Sequence, residues 1–179
     1  MLGHAGFHIE TTAGGIIFDL WLDGSIFNNS WDLLEPSQFS EDILLNTKWI
    51  WISHEHPDHF NPKSLLQIPN HYRKGIKVLF QNTNDHKVVN WLINNDFNVD
   101  ECYSAINYSL GEKTNINIFK HGIYDSWILI NDNGKYLINL NDCNISDNEL
   151  LTIKNKLPNS LDILISQFSY ASWPGNPDD

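Results

Sequence analysis

The stretch Ser53-His54-Glu55-His56-Pro57-Asp58-His59 constrains this chain more than any other, and it follows directly on the apolar run Trp49-Ile50-Trp51-Ile52. Four of the six positions from His54 to His59, namely His54, His56, Asp58 and His59, form a pattern of side chains that bind transition metals. A buried strand that ends abruptly in such residues delivers them to the rim of a sheet, where the sites of α/β proteins lie. Pro57 keeps His56 out of the α region, so His54 and His56 leave an extended backbone on the same side and both imidazoles can reach one ion. Asn61-Pro62 then supplies an N-cap and a first-turn proline, predicting a helix that fixes Asp58 and His59. An H-E-x-x-H metalloprotease helix is excluded, because Asp58 stands where the second histidine would be.

The H-x-H-x-D-H pattern of His54, His56, Asp58 and His59 resembles the loop motif of the metallo-β-lactamase superfamily. Gly3-His4-Ala5, Ile17-Phe18-Asp19, Trp51-Ile52-Ser53 and Leu140-Asn141-Asp142-Cys143 are similar to one branch, the β-lactamase-like domain of CMP-N-acetylneuraminate hydroxylases. Ascorbate-phosphate lactonases and phospholipase-D-type relatives lie further off. The resemblance implies an αββα sandwich, a single domain over residues 1–179 whose C-terminal part is missing. It also implies the roles of further residues. Asp19 would sit behind the metal and fix the tautomer of a ligand histidine, and His4 would line the site beside it. His121 and Asp142, each at a strand end, would be the second-half histidine and the bridging carboxylate.

That family pattern puts His54, His56 and His121 on one ion and Asp58, His59 and Asp142 on a second. Such a donor set suits Zn²⁺ first, with one or two ions, and iron or manganese as alternatives. Two ions about 3.5–4 Å apart clamp the oxygens of a carbonyl or phosphoryl group, so hydrolysis of an ester, lactone or phosphoester is the leading expectation. Family members usually close the second site with a later histidine, yet no histidine follows His121. If that ligand is absent, Asp58 becomes free to act as a catalytic base. A second reading is the β-lactamase-like part of a nucleotide-sugar hydroxylase, with oxygen chemistry belonging to a Rieske iron–sulfur partner, since no C-x-H and C-x-x-H pair occurs. A third is a non-catalytic metal-binding domain.

Bulk properties narrow the partners. With 179 residues, 41% hydrophobic content and seven tryptophans, the chain can bury one real core. A net charge of −11 with Arg73 as its single arginine argues against a nucleic-acid groove or an anionic membrane surface and leaves a small-molecule substrate as the expected partner. Two cysteines, Cys102 and Cys143, are too few for a disulfide framework, and neither a signal peptide nor a membrane span is evident, so a reducing cytoplasm is expected. The sequence does not specify an oligomeric state.

Along the chain, the pattern predicts a hairpin of Phe7 to Thr11 and Gly15 to Leu20 and a long loop from Trp21 to Phe39 bordering the site. Next come a helix capped by Ser40, the Trp49–Ile52 strand, a helix from Pro62, a strand at Val78–Phe80 and a helix capped by Asn84 or Asp85. Strands at Asn115–Phe119, Trp127–Ile130 and Tyr136–Leu140 follow, the last two joined by Asn131-Asp132-Asn133-Gly134. A capping box at Ser146–Glu149 opens a helix, and Leu161–Ile165 is the final strand. His8, His71 and His86 are read as structural or surface residues, and Asp125 as a turn terminator. Because no amphipathic segment follows Leu161–Ile165, apolar surface is expected to stay open around that strand and the Trp127–Leu140 hairpin.

Overall fold

The computed structural model describes residues 1–157 and 160–167. Its first half forms a five-stranded sheet from β1 (Phe7–Thr11), β2 (Gly14–Phe18), β3 (Thr47–Ile52), β4 (Lys77–Gln81) and β5 (Asn98–Cys102), ordered as in the sequence. β1 and β2 pair antiparallel, whereas β2, β3, β4 and β5 run parallel. The connections carry α1 (Glu41–Asn46), α2 (Pro62–Leu65), α3 (Asn70–Arg73) and α4 (Lys87–Asn94). The second sheet is built from β6 (Asn107–Ser109), β7 (Thr114–His121), β8 (Asp125–Asp132), β9 (Lys135–Asn139) and β10 (Ile163–Ile165), in the order β10-β9-β8-β7-β6. It is antiparallel except for β10, which returns parallel to β9 after α5 (Asp147–Lys156).

The unbroken apolar runs have a direct cause: strands of both sheets are buried on both faces. Ile16, Phe18, Trp51 and Leu79 point between the sheets and meet Ile116, Ile118, Ile128 and Ile130. On the opposite face of the first sheet, Ile17, Ile50, Ile52, Val78 and Phe80 are covered by Leu44, Leu65, Ile68, Val88 and Leu92. The outer face of the second sheet places Phe119, Trp127, Leu129 and Ile138 under Ile153 of α5. Helix, sheet, sheet and helix therefore stack in four layers, as expected.

Local signals explain most boundaries. Asn61 caps α2 by accepting from Ser64 N at 2.9 Å, with Pro62 in the first turn, and the capping box of α5 forms between Ser146 and Glu149. The α4 start differs from expectation: His86 is the N-cap residue in a left-handed conformation, and Asp85 contributes by accepting from Lys87 N at 3.2 Å. β5 and β6 were not anticipated from the pattern, because both are edge strands with polar, partly exposed residues and no clear hydrophobic period. Residues Trp21 to Phe39 contain no regular strand or helix and hold themselves locally, through Trp21 Nε1 on the carbonyls of Asp23 and Gly24 and a bridge between Ile26 and Trp31.

One structural expectation fails. The Trp127–Leu140 hairpin is covered, with Trp127 and Ile128 buried, because α5 lies across it and Phe119 stacks on Trp127 at 3.9 Å. Among the described residues the edge strand β10 does stay open, with Ile163 and Leu164 50% and 55% exposed. The expectation about residues after Gln167 falls outside the described residues. Among the described residues no helix is long and apolar enough to cross a membrane.

Candidate metal centre

The loop at His54–His59 leaves the C-terminal end of β3, the central strand of its sheet. After Pro57 it tightens, with the His56 carbonyl accepting from His59 N at 3.0 Å and Phe60 N at 2.7 Å. Asn61 closes it from the far side by donating to the Pro57 carbonyl at 3.0 Å.

Behind this loop lies Asp19, fully buried and in a left-handed backbone conformation at the end of β2. Its Oδ1 accepts from Ser53 N at 2.8 Å, and its Oδ2 accepts from Ser53 Oγ at 2.8 Å and faces His59 Nδ1 at 3.0 Å. With Nδ1 held by a carboxylate, His59 Nε2 points into the site. Since the Ser53 hydroxyl donates to Asp19, it accepts from His54 Nδ1 at 3.0 Å, which leaves a lone pair on His54 Nε2. That nitrogen lies 2.9 Å from His56 Nδ1, 3.7 Å from Asp125 Oδ1 and 4.0 Å from Asp142 Oδ2.

The second sheet contributes Asp142, just beyond β9, whose Oδ2 is 3.4 Å from His59 Nε2. Asn141 precedes it with φ 50° and sets its amide 3.3 Å from His54 Nδ1. His121 ends β7, and its Nδ1 is paired with Glu149 at 2.6 Å. Its cross-strand partner Asp125 is the residue that faces His54. The Ser53 carbonyl stitches the two sheets together, accepting from Ser126 Oγ at 2.6 Å and from Gln81 Nε2 at 3.3 Å. From the N-terminal side, His4 Nε2 reaches Asp58 Oδ2 at 3.2 Å.

Donor atoms here fit a cation. His59 Nε2 and Asp58 Oδ1 are buried without a hydrogen-bond partner, although each needs one. Among the described residues two sets of three have ligand atoms within 4.8 Å of one another: His54, His59 and Asp142, and His4, Asp58 and His59. Burial opposes a charge on His59, yet Asp19, Asp142 and Asp58 outweigh it and push its pKa up to about 12. Burial likewise opposes ionisation of Asp58 and Asp142, and both are nonetheless held below the usual carboxylate range, Asp58 by His4 and His59 and Asp142 by His59. His54 moves the other way, lowered by burial and by the neighbouring His59.

No family model matches the chain. The chain is 25% identical over 174 residues, 93% of its length, to the cytidine monophosphate-N-acetylneuraminic acid hydroxylase of Danio rerio, and spans 28% of that protein. A stretch of 69 residues, 38% of the chain and 13% of the relative, is 38% identical to a Rieske 2Fe-2S iron–sulfur protein of Mycolicibacterium smegmatis. Among solved structures, a CmlA β-hydroxylase variant matches 92% of the chain and 34% of its own at a TM-score of 0.66 and 17% identity. The metallo-β-lactamase fold protein YhfI of Bacillus subtilis matches 90% of the chain and 62% of its own at 0.58 and 11%. The chain has the metallo-β-lactamase fold. Within that fold its sequence resemblance runs to the CMP-N-acetylneuraminate hydroxylase branch, of whose zebrafish member it spans little more than a quarter.

On this metallo-β-lactamase fold, His54, His56, Asp58, His59, Asp142, Asp19 and His4 gather at one end of the two sheets. His121 lies at the same end but turns one nitrogen to Glu149. Ser53 and Asn141 enter the sequence reading only within motif phrases and Glu149 only as a cap, none with a site role, and Asp125 is read there as a turn residue. Asp125 had one usable signal, its position at a strand start directly across from His121. Beside the cluster opens a cleft of about 520 Å³ lined by His4, Phe7, Asn139, Asn141, Asp142 and Ile165, among others.

Proposed function

We propose that this chain is the metal-binding, β-lactamase-like part of a Rieske-linked hydroxylase acting on a small molecule of the sugar-nucleotide class. The observation that carries this reading is the resemblance to the zebrafish hydroxylase along 93% of the chain. The resemblance of a 69-residue stretch to a Rieske protein supports it, and in this reading the electrons come from a separate Rieske domain or protein. Two free, buried thiols fit a reducing cytoplasm.

In this reading His54, His56 and His121 would hold one ion, and Asp58, His59 and Asp142 a second. When bound, zinc, iron or manganese would supply Lewis acidity and, for the redox-active metals, one-electron chemistry. Asp19 and Glu149 hold the Nδ1 atoms of His59 and His121, which would leave each Nε2 to bind an ion. Asp58, whose carboxylate lies 3.2 Å from both His4 Nε2 and His59 Nε2, would serve as a ligand in preference to a base. The 520 Å³ cleft receives the substrate against Phe7 and Ile165.

A metal-dependent hydrolase of an ester, lactone or phosphoester is the second reading, favoured by paired His and carboxylate donors on one sheet rim. Measuring metal content and then turnover separates the two. Oxygen-dependent hydroxylation of a cytidine monophosphate sugar that requires a Rieske reductant supports the first. Turnover of p-nitrophenyl acetate or bis(p-nitrophenyl) phosphate by the metal-loaded chain alone, without reductant, replaces it by the second. Tight metal binding with neither activity points to a structural ion.

A further inference from the structure

His4 sits in the N-terminal turn and reaches the site from the opposite end of the chain to Asp142. The turn is tight: Leu2 N donates to the Gly6 carbonyl at 2.7 Å and Gly6 N to the Gly3 carbonyl at 2.6 Å. It forces His4 to φ 23°, a conformation non-glycine residues rarely adopt and one that clusters at functional sites. The turn also lies directly on Asp19, since a Cβ at Gly6 would fall 2.7 Å from the Asp19 carbonyl oxygen. The residue that orients His59 thus also seats the turn that presents His4.

The imidazole is walled by Trp21 and Trp31, at ring-centroid distances of 5.5 and 6.1 Å, and its Nε2 ends 3.2 Å from Asp58 Oδ2. His59 Nε2 lies 3.2 Å from the same oxygen. Ligand atoms at about 2.0–2.2 Å from one tetrahedral ion stand roughly 3.4 Å apart, so these separations need little adjustment. The remaining Asp58 oxygen and His59 Nε2 are both among the buried atoms without hydrogen-bond partners.

We propose that His4 is a metal ligand, completing with Asp58 and His59 the coordination of the second divalent transition ion. The inference rests on the metal-centre reading given above and extends it by one residue. An imidazole-imidazole-carboxylate set takes Zn²⁺, Fe²⁺ or Mn²⁺. It leaves His54, His56 and the second-sheet residues to the first ion, with Asp142 between the two.

The test is calorimetric titration with Zn²⁺ and visible spectroscopy with Co²⁺ on the wild-type chain, His4→Asn, His4→Gln and His54→Ala. Asn tolerates positive φ and keeps the turn while shortening the reach. The expected result is two ions for wild type. Both His4 variants should bind the first ion unchanged and the second at least tenfold more weakly, and the Co²⁺ spectrum of the second equivalent should change. His54→Ala should lose the first ion. X-ray absorption should count one imidazole fewer in the His4 variants. Two ions bound by His4→Asn and His4→Gln as tightly as by wild type would overturn the proposal and leave His4 an ion-pair partner of Asp58. A single ion in the wild type also overturns it while the first site stands, and no ion at all overturns the metal centre itself.

Discussion

Glu149 divides its two carboxylate oxygens between His121 and the helix that carries it. Oε2 accepts from Ser146 N at 2.9 Å and Ser146 Oγ at 2.6 Å, closing the capping box of α5, while Oε1 takes the Nδ1 proton of His121 at 2.6 Å. Burial works against ionisation, but the bonds from His121 and Ser146 hold the carboxyl down to about 2. A capping box alone contributes about 1 kcal/mol. Here the same residue fixes the tautomer of a proposed ligand, with Nε2 left to bind.

Replacing Glu149 by Gln should preserve the cap, since glutamine also serves there, and lower metal affinity about 10–100-fold. Glu149→Ala should add a loss of about 1 kcal/mol in stability. Calorimetric metal titration and urea unfolding of both variants measure the two effects separately. Unchanged affinity in both would remove the orienting role.

Asp19 satisfies Ser53 N, Ser53 Oγ and His59 Nδ1 inside the protein. Asp19→Ala strands a buried amide, at a cost of about 1–3 kcal/mol, and frees His59 to rotate. Metal affinity should fall about 10–100-fold. Denaturant titration with and without metal checks both numbers, and a variant as stable and as metal-avid as wild type would contradict them.

Asp132 ties the β1–β2 turn to the second sheet, accepting from Thr12 Oγ1 and Thr114 Oγ1 at 2.6 Å each and from Thr12 N at 3.0 Å. Burial slightly opposes its charge, and the threonine hydrogen bonds hold its pKa below the ordinary value. A depressed carboxylate stabilises above its unfolded value, near pH 4, and that contribution is lost as pH falls through the folded value. Asp132→Asn should therefore cost about 0.5–1 kcal/mol at pH 7 after screening by solvent, with the gap to wild type closing as pH drops below about 4. Unfolding free energies between pH 2.5 and 7 test this, and a gap that does not depend on pH would exclude it.

Cys102 and Cys143 are free and buried, and burial, with Asp100 beside the first and Asp125 beside the second, raises both thiols, Cys102 to about 12. Native protein at pH 8 should react with a disulfide reagent more than roughly hundredfold more slowly than unfolded protein. Rapid labelling under native conditions would show local opening, of the sheet interface for Cys102 and of the outer face under α5 for Cys143.

Much of this architecture was legible because its signals are local. Asn61-Pro62, Ser146 to Glu149 and Asn131 to Gly134 each specify their own backbone, and Trp49 to Ile52 reads as buried because both faces of β3 are covered. β5 and β6 were illegible for the complementary reason: Asn98–Cys102 and Asn107–Ser109 lie at sheet edges, where neither hydrophobicity nor alternation is demanded. The covering of Trp127 by Ile153 and the approach of Asp125 to His54 depend on how distant segments dock. Glu149 was visible as a cap, but one motif reports one hydrogen bond, and its second partner comes from a strand 28 residues away in sequence.

Each sheet is laid down by one uninterrupted stretch of chain, β1 to β5 before Tyr103 and β6 to β10 after Ile106, while the proposed ligands are divided between them. A cation held by His54 and His56 on one side and Asp142 on the other would work as a suture between two consecutive halves, closing a long loop as a cross-link does. Ion affinity and the cohesion of the halves then become one thermodynamic quantity. A chain nicked between Cys102 and Asn107 should reassemble more firmly when the metal is supplied, which makes the ion as much a folding partner as a reagent.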